Sequence, residues 1–183
     1  MIFNTEYKSY PVVTCDFTKS DNWFTFYGKT SNDITYGRDN NHWFYITRSS
    51  ALAGASWTIP SSIYSKWNLK KAELFCYSTA TDNGWWLVYG VDTYYVRSFN
   101  SVMDKNFQST GYSQQSATLP AWWYKLIIDL ENNQASIGST ILTLWSWDSS
   151  TLQTYWTGWN LRLWIFMKSA NTTSYIEKAT FYF

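Results

Sequence analysis

Residues 122–130 and the run that follows them, 135–144, constrain the fold more than any other part of the chain. The first run is apolar and rich in aromatic and β-branched residues, which favours an extended strand. Asn132 and Asn133 stand between the two runs, and asparagine tolerates the left-handed backbone that a tight hairpin turn needs. We therefore predict an antiparallel hairpin in which 122–130 pairs with 135–144.

The side chains of residues 122–130 separate into two rows, because successive side chains of a strand point to opposite faces. One row is wholly apolar and belongs in a core: Trp122, Tyr124, Leu126, Ile128 and Leu130. The other row is mixed in character: Trp123, Lys125, Ile127 and Asp129. The pattern predicts one buried face and one half-exposed face that still carries an indole.

The rest of the chain repeats short apolar or alternating runs between polar turns. Strands are predicted from Cys15 and over 23–28, 34–37, 42–48, 70–80, 85–91, 93–99, 160–170 and 174–183. Loops are predicted over 49–62, with a short helical turn at 51–55 as an option, and over 100–120 and 146–158. Asn83-Gly84 predicts a hairpin between 70–80 and 85–91, since Asn-Gly is the favoured type I′ pair.

No segment has a 3.6-residue hydrophobic period over enough length to be a helix. Short strands with turn signals at this spacing are typical of a sandwich or barrel. We predict an all-β fold, an antiparallel two-sheet β-sandwich. It forms a single domain over residues 1–183, with residues 1–14 as an arm that leads into it.

Composition narrows the classes of function. Charged residues make up 15% of the chain and the net charge is +1, which argues against the clustered Lys and Arg of a nucleic-acid groove. Aromatic residues reach 21%, with 13 Trp, more than one small core needs. Cys15 and Cys76 form either one disulfide or two buried thiols, and the thiols are favoured. The start of the chain predicts no signal peptide, and no run is long enough to predict a membrane span.

The segments WWYKLIIDLENNQASI (122–137) and TGWNLRLWIFMKSANTTSYIEKATFYF (157–183) carry a family resemblance. They resemble the concanavalin A-like lectin/glucanase superfamily of jelly-roll β-sandwiches, which includes laminin-G-like domains, carbohydrate-binding modules and domains of virion and tail-fibre proteins. In these families a W-Y-x-hydrophobic-x-hydrophobic-D strand precedes a hairpin, and a final strand closes the sheet beside the first. Here that final strand is YIEKATFY, 175–182. The resemblance implies one convex and one concave sheet, with sugars bound or cut on the concave one in many relatives.

Carboxylates give little sign of catalysis. Glucanases of this fold carry an E-x-D-x-E cluster whose two carboxylates act as nucleophile and acid, and that spacing is missing here. Asp129 and Glu131 sit at a strand end, where solvated turn carboxylates are usual. Glu177 lies mid-strand and would need Glu73 or another residue beside it to run the two-carboxylate mechanism. We therefore assign no catalytic residue.

Metal and histidine chemistry also have little support. His42 is the single histidine, and with two dispersed cysteines it gives no basis for a triad or a zinc site. We assign no metal ligand and no cofactor. A structural calcium site built from loop oxygens is an unspecific option in this fold: Asp21, Asn22, Asp39 and Asn40.

Aromatic side chains are the candidates for ligand binding, because a flat indole or phenol matches the apolar CH face of a sugar ring. Along 160–168 the apolar row ending in Met167 points to the core, so truncating Arg162 on the other row should cost little. The predicted binding residues face away from such rows: Trp164, Arg162, Trp123, Phe166 and Trp86. We expect Trp164, Arg162 and Trp123 to share the concave sheet. The alternative for each aromatic is core packing, a cross-strand pair or a subunit interface.

The favoured hypothesis is a non-enzymatic carbohydrate-binding or receptor-binding module of a virion, tail fibre or surface appendage, serving host attachment. Its partners would be a glycan or cell-surface receptor and further copies of the chain in a homo-oligomer or larger assembly, without nucleic acid. Its location would be a virion or extracellular surface assembly. One alternative is a purely structural subunit whose aromatics contact neighbouring subunits, and a second is a glycoside hydrolase or lyase of the same fold.

Overall fold

The structure, a computed structural model, describes residues 12–20, 24–29, 32–38, 44–49, 53–59, 69–80, 83–89, 94–99, 102–107, 111–116, 123–144, 161–167 and 169–183. Its strands are β1 (Val12–Asp16), β2 (Thr25–Lys29), β3 (Ile34–Arg38), β4 (Phe44–Arg48), β5 (Ala53–Thr58), β6 (Lys71–Ser78), β7 (Asn83–Tyr89), β8 (Tyr94–Phe99), β9 (Val102–Phe107), β10 (Gly111–Ser116), β11 (Tyr124–Asp129), β12 (Gln134–Ile137), β13 (Thr140–Thr143), β14 (Leu161–Met167) and β15 (Thr172–Tyr182). Within these ranges no helix is long and apolar enough to cross a bilayer.

The strands form two antiparallel sheets. Sheet I has the order β13-β12-β11-β6-β15-β4-β3, with β1 also paired to β15. Sheet II has the order β10-β9-β8-β7-β14-β5-β2. The predicted all-β, two-sheet antiparallel sandwich is confirmed.

The core lies between the sheets and is built from the apolar rows of both. In sheet I, Leu74 of β6 and Ile176 of β15 are almost fully buried, and in sheet II so are Trp85 and Ile165. The apolar row predicted for the first hairpin strand is confirmed at Tyr124, Leu126, Ile128 and Leu130, while Trp122 falls outside the described residues. Removal of this apolar surface from water drives the two sheets together.

The predicted hairpin is confirmed in its first half. β11 pairs with β12, and Asn133 adopts the positive φ of 54° that the turn requires. The Asp129 carboxylate accepts hydrogen bonds from the Asn132 backbone N at 3.0 Å and side-chain Nδ2 at 2.8 Å. The second run is not one strand, because Gly138, at φ 57°, turns the chain back so that β12 pairs with β13.

Three segments differ from the prediction because strand pairing overrides local composition. Residues 53–58, predicted as loop or helical turn, form β5, which pairs with both β14 and β2. Part of the predicted loop 100–120 forms β9 and β10, which complete a β8-β9-β10 ladder. Their polar composition does not prevent this, since a strand needs a partner mainly for its backbone groups. β1 begins at Val12, inside the predicted arm, and pairs with β15.

The hairpin predicted at Asn83-Gly84 is wrong. β6 belongs to sheet I and β7 to sheet II, so the chain crosses between the sheets here. Asn83 is fully buried and pairs with Met167 of β14 as the first residue of β7. The Asn-Gly pair therefore begins a core strand, and its asparagine serves as a buried hydrogen-bonding group.

Cys15 and Cys76 are free, buried thiols, as the favoured alternative predicts. Cys15 lies on β1 opposite Ala179, and Cys76 lies on β6 opposite Ile176. Burial raises the pKa of Cys15 to about 12. Burial also raises the pKa of Cys76, against a smaller lowering by a hydrogen bond with Tyr124. Both side chains therefore act as small apolar groups of the core.

β15 pairs with three other strands of sheet I. One of its sides pairs with β6 along most of its length, and the other pairs first with β4 and then with β1. The final strand thus closes the sheet beside the first one, as the resemblance implies. The register to β6 shifts between Ile176 and Lys178, which marks a β-bulge.

Candidate functional site

An aromatic row crosses the outer face of sheet I, the face turned away from the core. It consists of Phe75 and Tyr77 of β6, Trp123 immediately before β11 and Tyr175 of β15. The same alternation that buries Leu74 and Cys76 sends Phe75 and Tyr77 outward. The register then places Tyr77 opposite Tyr175 and Phe75 opposite Lys125. Three neighbouring strands therefore bring the four rings together.

The rings of the aromatic row hold one another in place. Trp123 stacks on Phe75 with ring centroids 5.3 Å apart, and Tyr77 stacks on Tyr175 at 5.9 Å. Tilted contacts join the two stacks: Trp123 lies 5.7 Å from Tyr77 and 6.3 Å from Tyr175. Each ring remains half-buried. The row is a pre-ordered, partly exposed apolar surface.

A depression of about 280 Å³ adjoins the row. Its lining residues come from the same three strands: Glu73, Phe75, Lys125, Glu177, Lys178 and Thr180. Phe75 belongs both to this lining and to the aromatic row. Apolar and charged groups therefore form one continuous surface.

Glu73, which lines this depression, is the centre of an ion-pair network. Lys71 Nζ lies 2.6 Å from Glu73 Oε1 and Lys125 Nζ lies 3.0 Å from Oε2. Partial burial raises the pKa of Glu73, but the hydrogen bonds and charges of the two lysines outweigh it and leave the pKa below its ordinary value. The same hydrogen bond raises the pKa of Lys71, whose ammonium also lies 5.0 Å from the Tyr182 ring centroid. The Glu73 carboxylate is thus ionised at neutral pH, with a lysine ammonium at each of its oxygens.

The five binding residues expected from the sequence divide between the two sheets. Trp123 lies on the outer face of sheet I, within the aromatic row. Trp164 and Arg162 lie on β14 of sheet II, where Leu163 and Ile165 face the core. Trp86 and Phe166 belong to β7 and β14, and their side chains fall outside what the structure describes. The expected sharing of one sheet by Trp164, Arg162 and Trp123 is wrong, since they occupy opposite outer faces of the sandwich.

The outer face of sheet II is more enclosed than the sequence indicates. Arg162 is only 6% exposed, and its guanidinium carbon lies 5.5 Å from the Trp164 ring centroid. The Trp164 indole lies over Gly54 of β5, where an added Cβ would come within 2.7 Å of Nε1. Trp164 and Arg162 therefore form a packed pair, and the expectation that Arg162 lies on an open face is corrected.

Tyr77, Tyr175 and Lys125 are site residues that the sequence interpretation missed. Part of the signal was present, because Tyr77 falls at every second position with Glu73 and Phe75 in the predicted strand 70–80, and Lys125 shares the mixed row of Trp123. The sequence did not reveal the strand order, because nothing in or near β6 indicates that β11 and β15 lie on either side of it. Asp129 is bonded within its turn to Asn132, as expected of a turn carboxylate.

The metal candidates can be placed only in part. Among the described residues, His, Cys, Asp and Glu form no group of three that could hold a metal ion. His42 and the loop residues considered for calcium, Asp21, Asn22, Asp39 and Asn40, fall outside the described ranges.

No protein-family model matches the sequence, and no curated protein sequence matches it. Solved structures share the fold. The chain is similar to Crh5 transglycosylase in complex with NAG, with a TM-score of 0.57, 13% identity, and coverage of 93% of this chain and 83% of that one. It is also similar to a sialidase, with a TM-score of 0.54, 7% identity and 92% of this chain covered. A third similar structure is botulinum neurotoxin type C, whose cell entry depends on two ganglioside molecules, with a TM-score of 0.54, 8% identity and 95% of this chain covered.

The chain spans 18% of the sialidase and 47% of the neurotoxin chain. At these identities the likeness shows the fold alone. Concanavalin-like membership remains a prediction, and the similarity shows that this chain has a β-sandwich fold.

Proposed function

We propose that this chain is a non-enzymatic carbohydrate-binding module that holds its glycan on the outer face of sheet I. The observation that carries the proposal is the continuity of the aromatic row with the charged depression across β11, β6 and β15. A site of this kind needs an apolar surface for the sugar ring and polar groups for its hydroxyls. Both lie side by side here.

Preorganisation supports binding at this face. Trp123 contacts Phe75, Tyr77 and Tyr175, so its indole is held before a ligand arrives. Less side-chain entropy is then lost on binding, which favours affinity for a weakly interacting ligand such as a sugar. The similar folds of a NAG-bound transglycosylase and a ganglioside-dependent neurotoxin are consistent with the proposal.

A glycoside hydrolase is the second candidate, because Glu73 and Glu177 line the same depression. The lowered pKa of Glu73 suits a nucleophile or base, so Glu177 would have to be the acid. The salt bridges from Lys71 and Lys125 occupy both oxygens of Glu73, which weakens it for either role. For this reason we favour binding over cleavage.

For the setting we propose a virion, tail fibre or surface appendage that uses the module for host attachment, in a homo-oligomer or larger assembly. The low charge and the abundance of aromatic residues support this setting. In the alternative, a structural subunit, a neighbouring subunit covers the aromatic row instead of a glycan.

The test compares Trp123→Ala with Trp164→Ala on a glycan array, with thermal melting of each variant. Trp123→Ala should lose roughly 2 kcal/mol or more of binding free energy while remaining folded, as hot-spot aromatics do. Trp164→Ala removes an indole from the opposite face and should bind as wild type does. Loss of binding by Trp164→Ala but not by Trp123→Ala would place the site on sheet II instead. Absence of glycan binding together with an oligomer that buries Trp123 would favour the structural subunit.

A separate assay addresses the hydrolase candidate. Wild type, Glu73→Gln and Glu177→Gln are incubated with a panel of polysaccharides, and reducing ends are measured. We expect no release by any of them. Release by wild type that both variants lose would replace the binding proposal with the enzymatic one.

A further inference from the structure

The bulge of β15 turns two consecutive charged residues to the same face. Ser174 and Ile176 are buried before the bulge and Ala179 and Phe181 after it, so the even spacing of core residues is broken between Ile176 and Ala179. Glu177 and Lys178 therefore both avoid the core, and both line the depression. In a regular strand, one of the two would point inward.

The backbone of the bulge is fixed. The Phe17 backbone N donates a hydrogen bond to the Glu177 carbonyl oxygen at 2.8 Å, and the Phe17 side chain is buried. Strand pairing resumes at once on both sides of β15, where Lys178 lies opposite Asp16 of β1 and Phe75 of β6. Glu177 and Lys178 thus extend from a rigid base, which suits selective recognition.

The two carboxylates of the depression differ in their partners. Glu73 is held by Lys71 and Lys125. Within the described part of the chain, the side chains of Glu177 and Lys178 make no hydrogen bond or salt bridge. Their hydrogen-bonding capacity is therefore available to a ligand, whereas both oxygens of Glu73 are already occupied by lysines.

We propose that Glu177 and Lys178 are the specificity-determining pair of this site, and that they select neutral glycans with a vicinal diol over acidic ones. The inference rests on the proposed glycan-binding function. A carboxylate can accept hydrogen bonds from two adjacent hydroxyls, and an ammonium can donate to a hydroxyl or ring oxygen.

Acidic sugars are disfavoured by the same arrangement. Two of the three lysines near the depression are already engaged, because Lys71 and Lys125 pair with Glu73, and the third, Lys178, follows Glu177 directly in the chain. A sugar carboxylate or sulfate that approached the unpaired Lys178 would also meet the Glu177 carboxylate, which lines the same depression. Like-charge contact and loss of solvation then oppose binding.

The experiment measures affinities for neutral oligosaccharides and for sialylated and sulfated forms of the same backbones. Wild type should bind the neutral forms at least about tenfold more tightly than the acidic ones. Glu177→Gln and Lys178→Gln should each weaken neutral binding about tenfold, as loss of a charge-assisted hydrogen bond does. Glu177→Gln should also narrow the discrimination against acidic forms. Glu131→Gln removes the same charge from an exposed turn and should leave binding unchanged.

The outcomes separate this inference from the proposal beneath it. If acidic glycans bind as well as neutral ones, or Glu177→Gln binds as wild type does, while Trp123→Ala still weakens binding as expected, the specificity pair is overturned and the glycan site stands. If wild type binds neither class, both are overturned.

Discussion

Asn83 at the start of β7 donates a hydrogen bond from its side-chain Nδ2 to the hydroxyl of Thr172 at the start of β15, over 2.9 Å. The Thr172 hydroxyl in turn donates to the Ser169 carbonyl oxygen at 2.7 Å, and the Ser169 backbone N donates to Asn83 Oδ1 at 3.4 Å. β7 belongs to sheet II and β15 to sheet I. The polar side chain of one residue thus ties the two sheets together where the chain passes between them.

Asn83→Ala and Thr172→Val should each destabilise the fold by roughly 1–3 kcal/mol, because Thr172→Val leaves the buried Asn83 side chain short of a partner and Asn83→Ala leaves the half-buried Thr172 hydroxyl and Ser169 backbone N short of one. The double variant should lose less than the sum of the single losses, since both changes remove one shared bond. Urea denaturation measures these free energies. Asn132→Ala, in an exposed turn, is the control and should cost less. Fully additive losses would show that the two residues act independently.

Gly54→Ala should destabilise by roughly 1–3 kcal/mol, as overpacking of a filled site does. The new Cβ would lie 2.7 Å from Trp164 Nε1 and 3.0 Å from the Ile165 carbonyl oxygen. Gly28→Ala is the matched control, because a Cβ there meets nothing within 4 Å. Melting temperatures that fall equally for both variants would show that steric contact with Trp164 is not the cause.

Leu163→Ala should cost roughly 2–5 kcal/mol, as expected for a buried leucine that leaves a cavity. Arg162→Ala should cost roughly 1–3 kcal/mol, because its side chain is buried against Trp164 instead of exposed. Guanidinium denaturation measures both values in a confirmed monomer. An Arg162→Ala loss within about 0.5 kcal/mol of zero would show that this outer face is open after all.

The thiols of Cys15 and Cys76 should be unreactive in the folded protein. Burial keeps both protonated at neutral pH and shields them from reagents, and the thiolate is the reactive form. Titration with a thiol-specific disulfide reagent should show no reaction under native conditions and reaction of both residues in denaturant. Rapid modification of either thiol at neutral pH in the native protein would contradict their burial.

Glu73 should contribute stability that depends on pH. Its pKa in the folded state lies below its ordinary value of 4.5, so the contribution is present above that value and is lost as pH falls through the folded pKa. Glu73→Gln should therefore reduce the free energy of unfolding near pH 7 by about 1 kcal/mol. The same variant should lose less stability than wild type does when the pH is lowered.

Urea denaturation between about pH 3 and pH 7 checks this expectation for Glu73. Glu131→Gln removes one carboxylate from an exposed turn and serves as the control. Its stability should fall with decreasing pH as that of wild type does. If the stability of Glu73→Gln falls with decreasing pH as steeply as that of wild type, Lys71 and Lys125 do not stabilise the ionised carboxylate.

The alternation within single strands was enough to predict which rows enter the core. Tyr124, Leu126 and Ile128 are buried, and Lys125 between them is exposed, as the period of two requires. The turn at Asn133 was predictable for a similar reason, since it depends on one residue that tolerates positive φ. The carboxylate of Asp129 is also occupied locally, by Asn132.

Local signals failed where a distant strand decides the outcome. Asn83-Gly84 has the sequence of a hairpin turn, yet its role depends on β14 and on the loop before β15. Residues 53–56 have small side chains and weak strand propensity, yet they form part of β5, where Gly54 provides the space that the Trp164 indole occupies.

The candidate site shows the same division. The sequence by itself determined that Trp123 lies on a half-exposed row, because side-chain direction in a strand follows from backbone geometry alone. Only the tertiary structure decided that β6 lies between β11 and β15, and that the bulge turns Glu177 and Lys178 outward together. Strand order and register arise from packing between segments far apart in the chain, and no local pattern encodes them.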